Sequence, residues 1–217
     1  MLIIYPLKAN SRRLEKHPDL IEILKKKYKH FVDLSYLELD NEYLESTGSL
    51  IFDHNYRKIY CCLSERATIK ALNVFMETIN RFAKEPFELI TFKGKDNNDK
   101  SIYHTNCMLA ILKDHAVVCL SAIKDLDERE RVKVSLEANR KVIEISWREM
   151  EHFCGNVINI TNKDGEIMLL MSENAEKNFS KKNIQILKKA YSIIAPNLCS
   201  IEKVGGGSAR CMVAEGF

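Results

Sequence analysis

The stretch Ser49–Ser64, SLIFDHNYRKIYCCLS, decides the fold of this chain. Two apolar runs flank the polar segment Asp53–Arg57, an order typical of a β-hairpin. A serine closes the stretch. The same order of apolar strand, polar turn, apolar strand and closing serine recurs in residues 106–121 and 156–172. A repeat of this length indicates an architecture built from copies of one supersecondary unit.

A helix and a third strand are predicted after each hairpin. Apolar residues recur there at helical spacing, and Ser180 is suited to cap the last of these helices. The predicted helices cover residues 68–83, 125–139 and 180–190, and the predicted third strands cover residues 86–92, 141–145 and 192–195. Each repeat is therefore predicted to be a ββαβ unit, and the fold class to be α/β.

Both ends of the chain match parts of this unit. Residues 2–5 and 30–34 are predicted strands that flank a helix beginning near Pro18, which is the order of the last three elements of a unit. Residues Met212–Phe217 have the composition of a first strand. We therefore expect a pseudo-symmetric ring, in which either the two ends complete one unit or upstream sequence is missing.

Composition and charge limit the kinds of molecule that this chain is expected to bind. The chain has 217 residues, 46% hydrophobic and 29% charged, as in ordinary soluble globular proteins. A net charge of +3 from 33 basic and 30 acidic residues gives no support for a nucleic-acid or membrane partner. The apolar start, residues 1–6, is too short for a signal peptide. Seven cysteines without zinc-ligand spacing predict reduced thiols, no metal site and a cytoplasmic location.

Chemically active side chains occur near the start of each first strand. They are Glu45 in one unit, His104 and Asn106 in the next, Asn156 in the third, and Cys211 near the C-terminus. Each alone has a simpler explanation, such as a solvated loop acid, a surface histidine or an idle thiol behind a flexible glycine run. A ring brings equivalent positions of its units together around its axis. Because these residues occupy similar positions in their units, the pattern favours one shared site.

These residue types have a coherent chemistry. A thiol beside an imidazole can ionise and attack an electrophilic carbon. The imidazole can then protonate a leaving amine and activate water, and a carboxylate can hold an N–H donor of the substrate. The sequence therefore predicts a Cys-dependent enzyme acting on a small molecule.

Four motifs in a fixed order carry a family resemblance, and they extend from the first residues to the last. The motifs are Tyr5–Pro6 with Asn10–Glu15 (NSRRLE), Leu44–Ser49 (LESTGS), Ile102–Asn106 (IYHTN) and Gly205–Glu215 (GGGSARCMVAE). On these motifs the chain resembles the arginine deiminase and amidinotransferase superfamily, the penteins. It is most similar to the citrulline-utilisation hydrolase type.

The resemblance implies an α/β propeller of five ββαβ units without a metal or organic cofactor. Residues 1–217 would form a single amidinotransferase-like domain in which about four of the five units are present. Relatives carry a further N-terminal unit and a motif of Phe-Pro-Asn-Asn-Trp character that this sequence lacks. The resemblance therefore implies an N-terminally truncated domain.

The resemblance also implies a role for each site residue. Cys211 would attack the guanidino or ureido carbon and form a covalent thiouronium-type intermediate. His104 would be the general acid and base, and Glu45 would orient the substrate nitrogens. The arginines that could meet a substrate carboxylate are Arg12, Arg13 and Arg210.

Asn106 departs from the pattern of many relatives, which carry Asp at this position. A cationic guanidinium favours two carboxylates, whereas the carbonyl oxygen of a neutral ureido group can accept from an amide. Asn106, as a substrate-binding residue, therefore favours citrulline over an arginine-like substrate. Arginine deiminase or amidinotransferase activity is an alternative, as is an inactive, ligand-binding remnant of the same fold. A homo-oligomer is left open.

Overall fold

The computed structural model describes residues 1–214. The strands are β1 (Leu2–Ile4), β2 (Phe31–Asp33), β3 (Leu50–Asp53), β4 (Lys58–Cys62), β5 (Glu88–Phe92), β6 (Leu109–Ile111), β7 (His115–Val118), β8 (Lys141–Glu144), β9 (Ile158–Thr161), β10 (Ile167–Leu170) and β11 (Ser192–Ile194). The α-helices are α1 (Asn10–Arg13), α2 (Pro18–Lys25), α3 (Ser46–Ser49), α4 (Ile69–Phe82), α5 (Leu126–Glu137), α6 (Trp147–Glu151), α7 (Glu173–Asn178), α8 (Lys181–Ala190) and α9 (Cys199–Gly205). The 3-10 helices cover Ser35–Asp40, Thr105–Cys107, Leu120–Ala122 and Ala209–Met212.

Three sheets of three strands share one topology, in the orders β3-β4-β5, β6-β7-β8 and β9-β10-β11. In each sheet the first strand pairs antiparallel with the second, as Leu50 does opposite Cys61. The second strand pairs in parallel with the third, and a helical crossover connects them. The predicted ββαβ repeat is confirmed.

The N-terminal region supplies a fourth, smaller sheet. Strands β1 and β2 pair in parallel, with Leu2 opposite Phe31, and α2 connects them. This arrangement matches the last three elements of a unit, as the sequence predicted. An open groove of about 1010 Å³ runs past β1 and is lined by aromatic rings that include Tyr5, Phe75 and Phe82.

Helix α4 shows how the sequence pattern positions a crossover. Its residues Leu72, Phe75 and Ile79 recur at helical spacing and are buried in one cluster with Leu50 and Ile59 of the adjoining sheet. Burial of each such side chain stabilises the fold by about 1.5–3 kcal/mol. The helix is therefore fixed on its sheet by its apolar face.

Polar caps and one buried ion pair complete the framework. Ser180 caps α8 as predicted, because its hydroxyl accepts from the backbone N–H of Asn183 at 3.2 Å. Asp53, at the end of β3, contacts the guanidinium of Arg140 through both carboxylate oxygens, one of them 2.9 Å from Nη2. Both side chains are buried, so this pair fixes one unit against the next.

The first strands of the three complete units meet at a common axis. A space of about 40 Å³ is lined by Ile51 of β3, Ala110 of β6 and Ile158 of β9, together with Arg210. The starts of these strands therefore lie near one end of the axis, which brings the repeat-equivalent side chains close to one another.

The structure differs from the sequence prediction in its short helices. Two short helices were not predicted: α1, between β1 and α2, and α9, which precedes its C-cap Gly206 with φ +67°. The first strand predicted for Met212–Phe217 is wrong where it can be compared. Met212 ends a 3-10 helix, and residues 213–214 lie outside any strand. The remainder, residues 215–217, lies outside the described residues.

Two general properties follow from residues 1–214. None of the helices in this range combines the length and the apolar character that crossing a membrane requires. All seven cysteines are free, and Cys199 and Cys211 are the exposed ones. Cytoplasmic location stays a prediction.

Candidate active site

Glu45 lies at the turn between the N-terminal region and β3. Its backbone N–H donates to the carbonyl of Arg66 at 3.1 Å, which fixes the turn against the segment after β4. Its carboxylate is fully buried, and Oε1 accepts from the backbone N–H of Lys8 at 3.2 Å. Segments from two parts of the fold therefore orient this carboxylate.

His104 contacts the same carboxylate from the next unit. Its Nε2 lies 2.8 Å from Oε2 of Glu45. The imidazole packs on the backbone of α3, where a Cβ on Gly48 would lie only 3.2 Å from three ring atoms. Glycine at this position therefore permits the close approach that joins the acid and the imidazole.

Two arginines complete the charged part of the site. Oε2 of Glu45 lies 2.5 Å from Nη1 of Arg12 and 3.5 Å from Nη1 of Arg66. Burial alone would raise the pKa of Glu45, but the hydrogen bond with His104 and the charge of Arg12 outweigh it and lower the pKa to about 2. Glu45 is therefore a carboxylate at neutral pH.

Thr105 fixes the segment that carries His104 and Asn106. Its hydroxyl donates to the carbonyl of Ser49 at 2.5 Å and accepts from the backbone N–H of Cys62 at 2.7 Å. The residue is fully buried. One threonine therefore ties the start of the second unit to both strands of the preceding hairpin.

Cys211 is exposed, and two amides contact its sulfur. Nδ2 of Asn156 lies 3.2 Å from Sγ, and Nδ2 of Asn106 lies 3.5 Å from it. Amide N–H groups directed at sulfur stabilise negative charge on it. The thiol that the sequence singled out is thus held by side chains from the second and third units.

Asn106 and Gly155 join the two parts of the site. Asn106 lies two residues after His104, in the 3-10 helix Thr105–Cys107, and its amide reaches the thiol. A Cβ on Gly155 would lie 2.5 Å from the carbonyl oxygen of Cys107. Only glycine allows the third unit to approach the second so closely at this point.

The other two predicted arginines lie apart from Glu45. Nε of Arg13 is 3.1 Å from a carboxylate oxygen of Glu38 and donates to the carbonyl of Leu7 at 3.0 Å. Arg210 is buried, lines the axial space and donates from Nη1 to the carbonyl of Val213 at 3.1 Å. Arg12 is thus the predicted arginine that the structure brings to Glu45, and the substrate-binding roles of all three stay predictions.

Arg66 was missed by the sequence prediction. Its guanidinium lies 4.4 Å from the ring centroid of Tyr103, and its buried Nε has no hydrogen-bond partner among residues 1–214. The sequence search considered only the starts of first strands. Because β3 and β4 are antiparallel, the segment after β4 lies at the same sheet edge as Glu45, and this signal could have identified Arg66.

The described residues contain no cluster of three or more His, Cys, Asp or Glu side chains arranged to hold a metal ion. The structure brings an ionised carboxylate into contact with an imidazole and two guanidinium groups. It also brings two amides into contact with an exposed thiol, and the segment of residues 104–106 belongs to both groups. Such a set can bind a cationic or hydrogen-bonding substrate and attack its carbon with sulfur.

The sequence model of the eukaryotic N,N dimethylarginine dimethylhydrolase family matches residues 1–217. No protein of curated function matches the chain in sequence.

Solved structures share the fold. One is ArgZ, an arginine dihydrolase from the ornithine-ammonia cycle in Cyanobacteria, with a TM-score of 0.72 and 15% identity over 96% of this chain and 28% of that one. A second is AgrE with ornithine and NAD⁺, with a TM-score of 0.74 and 16% identity over 99% and 28%. A third is a dimethylarginine dimethylaminohydrolase variant with S-methyl-L-thiocitrulline, with a TM-score of 0.64 and 15% identity over 97% and 69%.

These likenesses confirm the predicted fold class, an α/β pentein built from ββαβ units. The chain spans about a quarter of the ArgZ and AgrE chains and about two thirds of the dimethylarginine dimethylaminohydrolase chain. Identity of 15–16% shows the fold alone. The family match does not support the finer assignment to the citrulline-utilisation type, and the N-terminal truncation stays a prediction.

Proposed function

The chain belongs to the eukaryotic N,N dimethylarginine dimethylhydrolase family, and we propose that it hydrolyses a C–N bond at the guanidino carbon of a methylated arginine. Cys211 is the proposed nucleophile, His104 the general acid and base, and Glu45 the carboxylate that orients the substrate. The reaction class is hydrolysis of a linear amidine.

One observation carries this proposal. His104, which contacts Glu45 at 2.8 Å, lies two residues from Asn106, whose amide contacts the exposed thiol of Cys211. The proposed nucleophile, proton carrier and substrate anchor come from different units and are linked by this segment. A structural role for Cys211 would not require its exposure to solvent.

The first chemical step forms a carbon–sulfur bond. The Cys211 thiolate attacks the guanidino carbon and gives a tetrahedral intermediate. His104 donates a proton to the dimethyl-substituted nitrogen as its bond to carbon breaks, and dimethylamine leaves. The product on the enzyme is an S-alkylthiouronium that keeps the other two nitrogens of the substrate.

In the second step, water hydrolyses the thiouronium intermediate. His104, now deprotonated, removes a proton from water as its oxygen attacks the thiouronium carbon. The carbon–sulfur bond breaks, the Cys211 thiolate is regenerated, and the released amino acid is citrulline. Water has then replaced dimethylamine, so that the atoms of the reaction balance.

The charged side chains would bind the two ends of the substrate. Ionised Glu45 accepts N–H donors of the guanidinium, which is a charge-assisted hydrogen bond. Arg66 carries a buried Nε without a hydrogen-bond partner among residues 1–214 and lies beside Glu45, so we assign it to the substrate carboxylate together with Arg12.

The test is a substrate panel of asymmetric dimethylarginine, arginine and citrulline, with Cys211→Ala as the control. We expect dimethylamine and citrulline from the first compound, and no product with Cys211→Ala. Acid quenching should trap a covalent adduct on the wild-type chain, visible by mass spectrometry. Binding by calorimetry without turnover would contradict the proposal and indicate a ligand-binding remnant.

Citrulline is the second candidate substrate, and Asn106 favours it. A neutral amide at 3.5 Å from the thiol can donate to a ureido oxygen, where many relatives carry Asp. Attack on citrulline would release ammonia and leave a thiocarbamate, whose hydrolysis gives ornithine and carbon dioxide. Formation of ammonia and ornithine from citrulline, with no dimethylamine from asymmetric dimethylarginine, would decide for this substrate.

A further inference from the structure

Asn156 lies just before β9, is only 1% exposed and contacts the proposed nucleophile directly. We propose that Asn156 is a positioning residue that holds the Cys211 sulfur in its reactive place and stabilises its thiolate. As a role in catalysis this rests on the proposed function. The effect of Asn156 on the Cys211 thiol can be tested without measuring turnover of a substrate.

Both ends of the Asn156 amide are bound to the segments that form the site. Its Nδ2 donates to Sγ of Cys211 at 3.2 Å and to the carbonyl of Asn106 at 3.0 Å. Its Oδ1 accepts from the backbone N–H groups of Arg210 at 3.1 Å and Cys211 at 3.4 Å. A single amide therefore ties the turn that carries the thiol to the turn that carries Asn106.

The repeat gives this position its meaning. In the alignment of the three hairpins, Ser49, Asn106 and Asn156 occupy the same position, just before the first strand of each unit. The first unit supplies a hydroxyl at this position, whereas the second and third supply neutral amides that contact the Cys211 sulfur. Asn156 in addition accepts from the backbone N–H of the same cysteine.

A neutral amide suits this task better than a carboxylate. An amide presents a donor to sulfur and an acceptor to the backbone at the same time. A carboxylate of the same shape would keep the acceptor but replace the donor with a negative charge, which disfavours a thiolate nearby. Asn156→Asp therefore separates the two functions of the side chain.

The other titratable groups near Cys211 do not mask this effect. Tyr103 and Cys107, on the segment that leads into β6, interact electrostatically with Cys211. Burial raises the pKa of Tyr103 and raises the pKa of Cys107 to about 12. Both are therefore neutral at neutral pH. On the same segment, His104 contacts the carboxylate of Glu45.

The test measures alkylation of Cys211 by iodoacetamide as a function of pH, followed by mass spectrometry. A Cys199→Ser background removes the other exposed thiol. In Asn156→Asp we expect the pH of half-maximal alkylation to rise by about one unit and the rate at pH 7 to fall about tenfold, because the thiolate loses a donor and gains a repulsive neighbour.

Asn159→Asp, within β9 and three residues after Asn156, is the matched control. Its amide donates to the carbonyl of Met168 at 3.0 Å and accepts from the backbone N–H of Lys113 at 2.8 Å, a similar pair of contacts away from the thiol. Alkylation should keep the wild-type pH profile in this variant. An equal shift in both variants would mean a general structural effect and would overturn the proposal.

A second variant covers the case in which Asn156→Asp does not fold. Asn156→Ser removes the amide without adding charge, and the alkylation rate at pH 7 should fall about threefold. A wild-type rate in the folded serine variant would overturn the proposal. On an active substrate, Asn156→Asp should lower kcat with little change in KM, since the side chain contacts the nucleophile.

The two proposals fail separately. In one outcome, the wild-type chain turns over none of the substrates while Asn156→Asp still shifts the pH profile of alkylation. That result would refute the proposed function but support the positioning role of Asn156. Turnover with an unshifted profile would retain the function and refute the positioning role.

Discussion

The two sides of the candidate site use opposite electrostatics. On the carboxylate side, which comprises Arg12, Glu45, Arg66 and His104, a buried carboxylate contacts two partly buried guanidinium groups and an imidazole. On the thiol side, which comprises Asn106, Asn156 and Cys211, two neutral amides hold an exposed sulfur. Fixed charge suits the binding of a substrate cation. Neutral dipoles leave the sulfur free to carry the charge that the reaction needs.

The difference also follows from how each side is built. The carboxylate side combines the N-terminal region with the first two complete units, and Glu45 is fully buried within it. The thiol side combines the second and third units with the turn after α9, and Cys211 stays exposed. The segment His104–Cys107 belongs to both sides, so Thr105, which fixes this segment, sets their relative position.

The largest effect is expected from removing the nucleophile. Cys211→Ser should lower kcat on the active substrate by about 10⁴-fold or more, since a hydroxyl ionises far less readily than a thiol and is a poorer nucleophile. Substrate binding should persist, because the charged groups are on the other side of the site. Steady-state kinetics and calorimetry measure the two quantities. Cys199→Ser, at the other exposed thiol, is the control and should keep full activity.

Removing the charge of Glu45 should have the next largest effect. Glu45→Gln keeps the shape but loses the partner of His104 and of the substrate cation, and we expect kcat/KM to fall about 10²–10³-fold. Alkylation of Cys211 should change much less. Glu65→Gln serves as the control, because the Glu65 carboxylate is 62% exposed and pairs with Lys8 at the surface. Equal losses in both variants would contradict the division into two sides.

The same carboxylate should make stability depend on acid pH. Its pKa is lowered from 4.5 to about 2 in the folded chain, so its stabilising effect is present above pH 4.5 and is lost as the pH falls towards 2. The loss should be roughly 3 kcal/mol in the free energy of unfolding. Denaturant titrations between pH 6 and pH 2 should show a shallower decline in Glu45→Gln. Parallel curves for the two proteins would refute the assignment.

Two neighbouring arginines allow a smaller test. Arg12 contacts Glu45, whereas Arg13 contacts Glu38 and the carbonyl of Leu7. Arg12→Ala should raise KM about tenfold by removing one ionic contact. Arg13→Ala should leave KM unchanged and lower the free energy of unfolding by less than about 1 kcal/mol, as is usual for a partly exposed pair. The reverse result would place the substrate carboxylate near Arg13.

Much of this architecture could be predicted from the sequence because it repeats. The hairpin Ser49–Ser64 has two counterparts, and their common phase brought Glu45, His104 and Cys211 to one place in the prediction. Short elements could not be predicted in this way. The 3-10 helix Ala209–Met212 forms where the backbone N–H of Arg210 donates to Asn156, a tertiary contact that local sequence does not encode.

The missed arginine has a similar cause. Arg66 reaches Glu45 because β3 and β4 pair antiparallel, which places the end of one strand beside the start of the other. A search confined to the starts of first strands could not detect it. The contact between Asn156 and the thiol likewise depends on the close approach at Gly155, which becomes visible only when two units are packed together.

The smallest expected effect concerns the backbone of the carboxylate side. Ser46 follows Glu45 with φ +48°, in the left-handed region that favours glycine. Ser46→Gly should relieve this strain and raise the free energy of unfolding by up to about 1 kcal/mol, less the entropy that glycine adds to the unfolded chain. Thr47→Gly, beside it, should only destabilise. If Ser46→Gly instead lowers stability and slows turnover while Cys211 alkylation is unchanged, Ser46 would act on the carboxylate side through its side chain and not through its backbone.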